Sequence, residues 1–238
     1  MIEISGLNKS YKQEPVLKNL GFSHPGQKTL SILGESGSGK STLLKIIAGL
    51  EEADGGDVRI DGRSIMQMKP KDRGTVYLYQ EPLLFPHLTV AENISFGLKF
   101  KGSDSKTAEK DTLRMIGQLK LTGQEAKYPH QLSGGQKQRV AFGRAFIIHP
   151  KILLLDEPFA SLDPGTRQEM QVLFKEIADK ENITSLFVTH DLKEALMTGD
   201  RFGIMVNGRL TLHENREAFI EDSDTGVKKE IEFWKNLS

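Results

Sequence analysis

The stretch Gly34-Glu35-Ser36-Gly37-Ser38-Gly39-Lys40-Ser41-Thr42 has the residue types that a chain of phosphate groups needs. Its glycines permit a tight turn and let backbone N–H groups approach phosphate oxygens. Lys40 offers a point charge to the β- and γ-phosphates, and the Ser41 hydroxyl is a ligand for Mg²⁺. The apolar residues that follow, "STLLKIIAGL", read as a buried helix that aims its positive dipole end at the same anion and stops at Gly49. An ordinary glycine loop is the alternative, and a strand before the motif with a helix after it weighs against that.

Two carboxylates, Asp156 and Glu157, end the apolar run "ILLL" at 152–155. Beside a phosphate loop, Asp156 is expected to hold Mg²⁺ and Glu157 to orient and activate a water. General-base help of that kind is typically worth about 10²–10⁴-fold in rate. The bland reading is a pair of acids opening a turn before Pro158. Gln80 and His190 also follow apolar runs: the first could ligate Mg²⁺ or water through its amide oxygen, the second could donate to a γ-phosphate. Either could instead be an ordinary strand-end residue. The six histidines show no metal-ligand spacing.

A second glycine turn is harder to place. In Ser133-Gly134-Gly135-Gln136, the S-x-x-Q spacing predicts a capping box that starts a helix. The paired glycines bare the first-turn N–H groups, yet there is no lysine and no buried strand ahead. Such a cradle holds phosphate weakly unless it closes on a nucleotide already gripped elsewhere. Spacing alone leaves open whether that nucleotide belongs to this chain or another.

Parallel strands must deliver these groups to one edge. "TLSIL" (29–33), "TVYLY" (75–79), "ILLL" (152–155) and "SLFVT" (185–189) are short, nearly unbroken apolar runs, the pattern of strands covered on both faces. In such sheets ligands bind beyond the carboxyl ends of the strands. "MIEIS" (1–5) and "DVRI" (57–60) suggest an antiparallel flank, and Asn207-Gly208 predicts a hairpin within 203–213. Residues 104–120 read as an amphipathic helix with Leu113, Ile116 and Leu119 on one face, and the stretch from Glu214, with Phe219, Ile220, Ile231, Phe233 and Trp234, as helical and docked.

The 238 residues suffice for a sizeable core. Lys+Arg and Asp+Glu are each 32, which argues against a basic nucleic-acid footprint. Cysteine is absent, so there is no disulfide framework, as in a reducing compartment. The charged N-terminus does not read as a signal peptide, and no apolar run is long enough to span a bilayer. The chain is expected to be soluble by itself, with any membrane role borrowed from a partner.

"LSGGQ" (132–136), with the phosphate loop, "ILLLDEP", Gln80, "SLD" (161–163) and His190, resembles the ATP-binding subunit of an ABC transporter over essentially the whole length. The resemblance implies an α/β fold: a P-loop NTPase core with a mainly parallel sheet, an antiparallel β flank and an inserted helical subdomain. It implies a single domain over 1–238, the core at 1–86 and 151–238 and the subdomain at about 87–150. It further implies ATP and Mg²⁺, and a head-to-tail dimer (homodimer, or paired with a related ATP-binding subunit) in which LSGGQ of one subunit closes over ATP on the other. Tyr11 would stack on adenine, and Asp163 would lie in the loop joining the two sites.

"QEPLLFPHLTVAENISFGL" is similar to importers of polyamines, ferric iron, molybdate, sulfate or thiamine. That implies integral permease subunits docking on residues 81–131, a peripheral place on the cytoplasmic face of the inner membrane, and no nucleic acid. Many such relatives carry a further domain of roughly a hundred residues, a common domain size, which this chain is expected to lack. Gly143 in "AFGRAF" departs from the family's alanine- and leucine-rich run and costs about 1 kcal/mol of helix propensity. The rival readings are an ABC ATPase with a non-import role (exporter, lipoprotein release or nucleic acid) and a phosphate-loop kinase, which leaves LSGGQ unexplained.

Overall fold

The unbroken apolar runs are strands with helices against both faces. The computed structural model describes residues 1–102, 104–222 and 227–229. In chain order they form β1 (Ile2–Tyr11), β2 (Glu14–His24), β3 (Thr29–Leu33), α1 (Lys40–Ala48), β4 (Gly55–Ile60), β5 (Arg63–Ser64), β6 (Thr75–Leu78), α2 (Val90–Ser95), α3 (Ser105–Gln118) and α4 (Gly134–Phe146). There follow β7 (Ile152–Asp156), α5 (Pro164–Lys180), β8 (Ser185–Thr189), α6 (Leu192–Thr198), β9 (Arg201–Val206), β10 (Arg209–His213) and α7 (Arg216–Glu221).

The larger sheet has the order β10-β9-β3-β8-β7-β6. All its neighbours are parallel except β10, which turns back antiparallel on β9. That turn is Asn207-Gly208, with φ of 49° and 79°, the paired positive values a two-residue hairpin requires. Successive residues of β7 explain why its sequence does not alternate. Ile152 and Leu154 pack in one cluster with Leu43, Leu44, Ile46 and Ile47 of α1. Leu153 and Leu155 pack on the opposite face with Phe142 of α4 and Phe174 of α5. Each such side chain contributes about 1.5–3 kcal/mol relative to exposure.

The antiparallel flank is a separate four-stranded sheet, β2-β1-β4-β5, and its inward residues Ile2, Ile4, Leu7 and Val58 share the α1 cluster. It reaches further than the sequence suggests: β1 runs to Tyr11, and β2 was not foreseen. In β2 the buried residues are Leu17, Leu20, Phe22 and His24, so the spacing breaks once. The register shifts against β1 and the positive φ of Asn19, 50°, account for the break.

Between β6 and β7 the regular elements are all helical. They share the core's filling: Phe142, Phe146, Phe159, Phe174 and Phe187 form a chain of ring contacts at 5.5–6.3 Å that joins α4 to α5 and β8. Gly143 sits where a Cβ would lie 2.5 Å from Leu119 Cδ1 and 3.0 Å from Ile94 Cγ1, so its missing side chain lets α4 approach the α2 and α3 region closely.

On α3 the expected face is corrected: Thr112, Met115, Ile116 and the adjoining Leu119 are buried, whereas Leu113 is 54% exposed. Phe219 is buried beside Phe202 as expected, but α7 spans only six residues; Ile231, Phe233 and Trp234 lie outside the described residues. Among the described residues no helix is long and apolar enough to cross a membrane.

Candidate nucleotide site

The parallel order of β3, β8 and β7 brings their carboxyl ends side by side, with Leu33 beside Thr189 and Asp156 beside Val188. The glycine loop leaves β3 and is tied down by Gly34 N–H donating to Thr189 O at 3.2 Å. Gly39 takes φ of 106°, a region closed to ordinary L-residues, so that α1 can begin at Lys40. No side chain caps that helix start and its first turn has no acid. Its end N–H groups are therefore available to an outside anion.

Lys40 is 4% exposed; its Nζ donates to Gly34 O at 2.6 Å and Glu35 O at 2.9 Å, and Glu157 Oε1 is 3.8 Å away. Burial lowers its pKa, opposed by the charges of Glu157 and Asp156. A cavity of about 350 Å³ opens here, lined by Tyr11 and Val16, by Ser36, Gly37 and residues 39–42, and by Glu157. Lys9 Nζ stands 5.1 Å from the centre of the Tyr11 ring.

Both oxygens of Asp156 are held by hydroxyls: Ser41 Oγ donates to Oδ1 at 2.7 Å and Tyr77 Oη to Oδ2 at 2.6 Å. Burial, then the Asp156 bond, pushes the Tyr77 phenol far above its usual range. Two adjacent oxygens suit a hard cation such as Mg²⁺. No group of three His, Asp or Glu among the described residues could hold a metal alone, so phosphate oxygens or water would complete such a site. Glu157 adopts φ of 46°, and its Oε2 lies 2.8 Å from His190 Nδ1.

The structure thus gathers Gly34, Glu35, Ser36, Gly37, Gly39, Lys40, Ser41, Thr42, Asp156, Glu157 and His190, with Tyr11 at the cavity wall. Ser38 is buried on the other side of the loop, where its Oγ has no partner among the described residues. Gln80 is not brought in: it is exposed beyond β6 and does not line the cavity.

Ser133, Gly134, Gly135 and Gln136 also lie away from the cavity, at the start of α4. The capping box is present, with Ser133 N–H donating to Gln136 Oε1 at 3.0 Å and Gln136 N–H to Ser133 Oγ at 3.3 Å. Gly135 is buried next to Thr166 of α5. Asp163 caps α5 by accepting from Thr166 N–H at 3.1 Å, a bond that holds its carboxyl below the usual range.

Three supporting residues escaped the sequence reading. Tyr77 stands half-buried in β6, three residues before Gln80, and nothing beside it in the sequence marks its role. Arg73 is 8% exposed; it reaches Ile46 O at 2.7 Å and Ile47 O at 3.2 Å, at the end of α1. Arg167 bonds carbonyls of the loop after Glu157. Neither arginine left a local signal.

The model of the ABC transporter family matches residues 17–160, more than half of the chain. The sulfate/thiosulfate import ATP-binding protein CysA of Bacillus cereus (strain ATCC 14579) is 42% identical over 211 residues, covering 87% of this chain and 59% of its own. The protein of that name from Brucella melitensis is 42% identical, covering 88% and 59%. This chain therefore spans about three-fifths of the length of these relatives. A probable counterpart in Chlorella vulgaris is 40% identical, with 88% of this chain and 89% of that protein covered. Among solved structures, the ATP-binding cassette MJ0796, dimeric in a post-hydrolysis state with ADP and Pi, superposes with a TM-score of 0.79 at 31% identity, covering 91% of this chain and 99% of that one. Sequence model, relatives and fold agree: this chain belongs to the ABC transporter family.

Proposed function

We propose that this chain is an ATP-hydrolysing subunit that dimerises around two ATP molecules with Mg²⁺ and powers solute import through a membrane permease. The observation that carries the reading is a separation. Lys40, Ser41 and Glu157 line one cavity, with Asp156 bonded to Ser41 and His190 to Glu157, whereas the glycine turn at 133–136 is folded, capped and away from it. A second subunit, identical or related, would bring its own turn to the open side.

In this reading Lys40 Nζ exchanges its two loop carbonyls for phosphate oxygens, and the bare N–H groups of α1 receive the remainder of that charge. Ser41 and Asp156 would hold Mg²⁺, which when bound neutralises phosphate charge. Tyr77 keeps the outer oxygen of Asp156 in place. Glu157 takes a proton from water, and its bond to His190 Nδ1 leaves the other ring nitrogen to face the γ-phosphate. Gln80 is free to turn towards metal or water. Tyr11 offers its open ring face to adenine, and Asp163 lies where the two sites adjoin.

Residues about 87–150 act as a helical subdomain within a single ATPase domain. A groove of about 520 Å³ between α2 and α3, walled by Ala91, Leu98, Ala108 and the exposed Leu113, lies in the 81–131 region and suits a permease helix. The subunit would sit peripherally on the cytoplasmic face of the membrane. The import direction rests on the relatives named as sulfate/thiosulfate importers. The balanced charge, 32 against 32, disfavours nucleic acid as partner.

Glu157→Gln tests the composite site. With saturating Mg-ATP the variant should stop turnover, retain nucleotide and elute as a dimer by light scattering. A variant that binds Mg-ATP yet stays monomeric sinks the reading.

A further inference from the structure

One guanidinium stands between the loop that carries Glu157 and the loop that carries His190. From the first turn of α5, Arg167 Nη2 donates to Leu162 O at 3.0 Å and to Ala160 O at 3.5 Å. Its Nη1 lies 3.8 Å from Asp191 Oδ2. Ala160 and Leu162 belong to the turn that begins at Glu157, since Ala160 N–H donates to Glu157 O at 3.2 Å and Leu162 N–H to Phe159 O at 3.1 Å. Asp191 directly follows His190; its Oδ1 caps α6 by accepting from Glu194 N–H at 3.1 Å, and its own N–H donates to Thr189 Oγ1 at 3.0 Å. His190 Nδ1 returns to Glu157 Oε2 at 2.8 Å. The contacts close a ring.

A second rung lies one helical turn along. Gln171, four residues after Arg167 on the same face of α5, donates to Glu194 Oε1 at 3.3 Å. Both partners are buried, at 5% and 4% exposure. Arg167 and Gln171 of α5 thus meet Asp191 and Glu194 of α6, and the rung at the open end is the one that touches both loops.

We infer that Arg167 is a positioning residue: it cross-links the two loops so that Glu157 and His190 keep one mutual geometry. The inference rests on the reading of that pair as the hydrolytic one. Glu157 is held at φ of 46°, a left-handed conformation that is unfavourable for a non-glycine residue and persists only where its surroundings enforce it. A guanidinium can serve two carbonyls and a carboxylate at once because its donors form a rigid fork; a lysine ammonium is a point charge on a flexible stem.

The test uses the full chain, and the absence of cysteine lets spin labels be placed freely. Labels on Ser161→Cys and Met197→Cys, both exposed positions, report the separation of the loop from α6 without nucleotide. Arg167→Met should broaden that distance distribution, lower kcat at least tenfold and change ATP affinity less than twofold. Arg167→Lys should recover less than half of the lost rate. Asp191→Asn, which retains a good helix cap, should act in the same direction and more weakly, and serves if the Met variant does not fold. An unchanged, narrow distribution in a folded Arg167→Met protein overturns the proposal, as does a loss of ATP affinity in step with kcat. If the parent chain has no ATPase activity, the functional reading fails by itself, while the label distances still decide whether Arg167 holds the loops.

Discussion

Replacing Arg73 by methionine tests how α1, the helix that follows the glycine loop, is anchored. The guanidinium is 8% exposed and makes four contacts with backbone carbonyls: Ile46 O at 2.7 Å, Ile47 O at 3.2 Å, Met68 O at 3.0 Å and Met66 O at 3.3 Å. The first two lie at the carboxyl end of α1, where a cation also meets the negative end of the helix dipole. Ile46 O keeps another donor, Gly49 N–H at 3.1 Å. Met66 and Met68 are only half-buried, so water can replace the donor there. The loss thus concentrates on Ile47 O and on part of the bond to Ile46 O. Bonds from a charged donor are worth about 1.5–3 kcal/mol each, and the dipole adds about 0.3–1 kcal/mol. Burial of the charge opposes them, as the lowered pKa of Arg73 indicates. The balance is a destabilisation of about 2–3 kcal/mol. Urea unfolding should show a lower midpoint with an unchanged slope, because the surface exposed on unfolding is the same. Arg73→Lys should recover about half, its single ammonium reaching one or two of the four acceptors. A Met variant within about 0.5 kcal/mol of the parent, inside the range of ordinary surface substitutions, would refute the reasoning.

Tyr77→Phe removes the donor from Asp156 Oδ2 while leaving the Ser41 bond intact. The expected cost is about 1–3 kcal/mol in urea unfolding, and a neutral result would mean that water already serves that oxygen. His24 is wholly buried; desolvation, against the opposing bond to Lys28 O and with a smaller contribution from Arg201, pushes its pKa down to about 4. Its folded value is below the unfolded value of about 6.5, so the unfolded chain binds the extra proton first. This group's contribution is fully present above pH of about 6.5 and is lost as pH falls towards 4, at up to about 1.4 kcal/mol per pH unit. His24→Gln should flatten that limb of the stability–pH curve; an unaltered slope counts against a buried neutral imidazole.

What the sequence made legible was whatever must meet a ligand or be covered on both sides. β3 and β8 could be read to the residue because burial on both faces leaves no charged position inside them, and the change to Gly34 or His190 marks their ends. The glycine loop was readable because its chemistry is that of the backbone, and few residue types let the backbone do it. β2 stayed hidden because its register shifts against β1 and the bend at Asn19 break the alternation by which a half-buried strand is recognised. The holding groups were hidden for another reason. Tyr77 acts on a carboxylate 79 residues away, Arg73 on a carbonyl 27 residues away and Arg167 on an acid of the next helix, so none of them has a neighbour in the sequence that marks its role. Gln80 shows the converse: a strand end places its backbone at the right edge of the sheet, but the direction of the side chain is set by contacts it does not make here. A motif therefore records where charge and hydrogen bonds are presented, while the rigidity that makes them effective resides in arginines and a tyrosine that only the folded chain brings to bear.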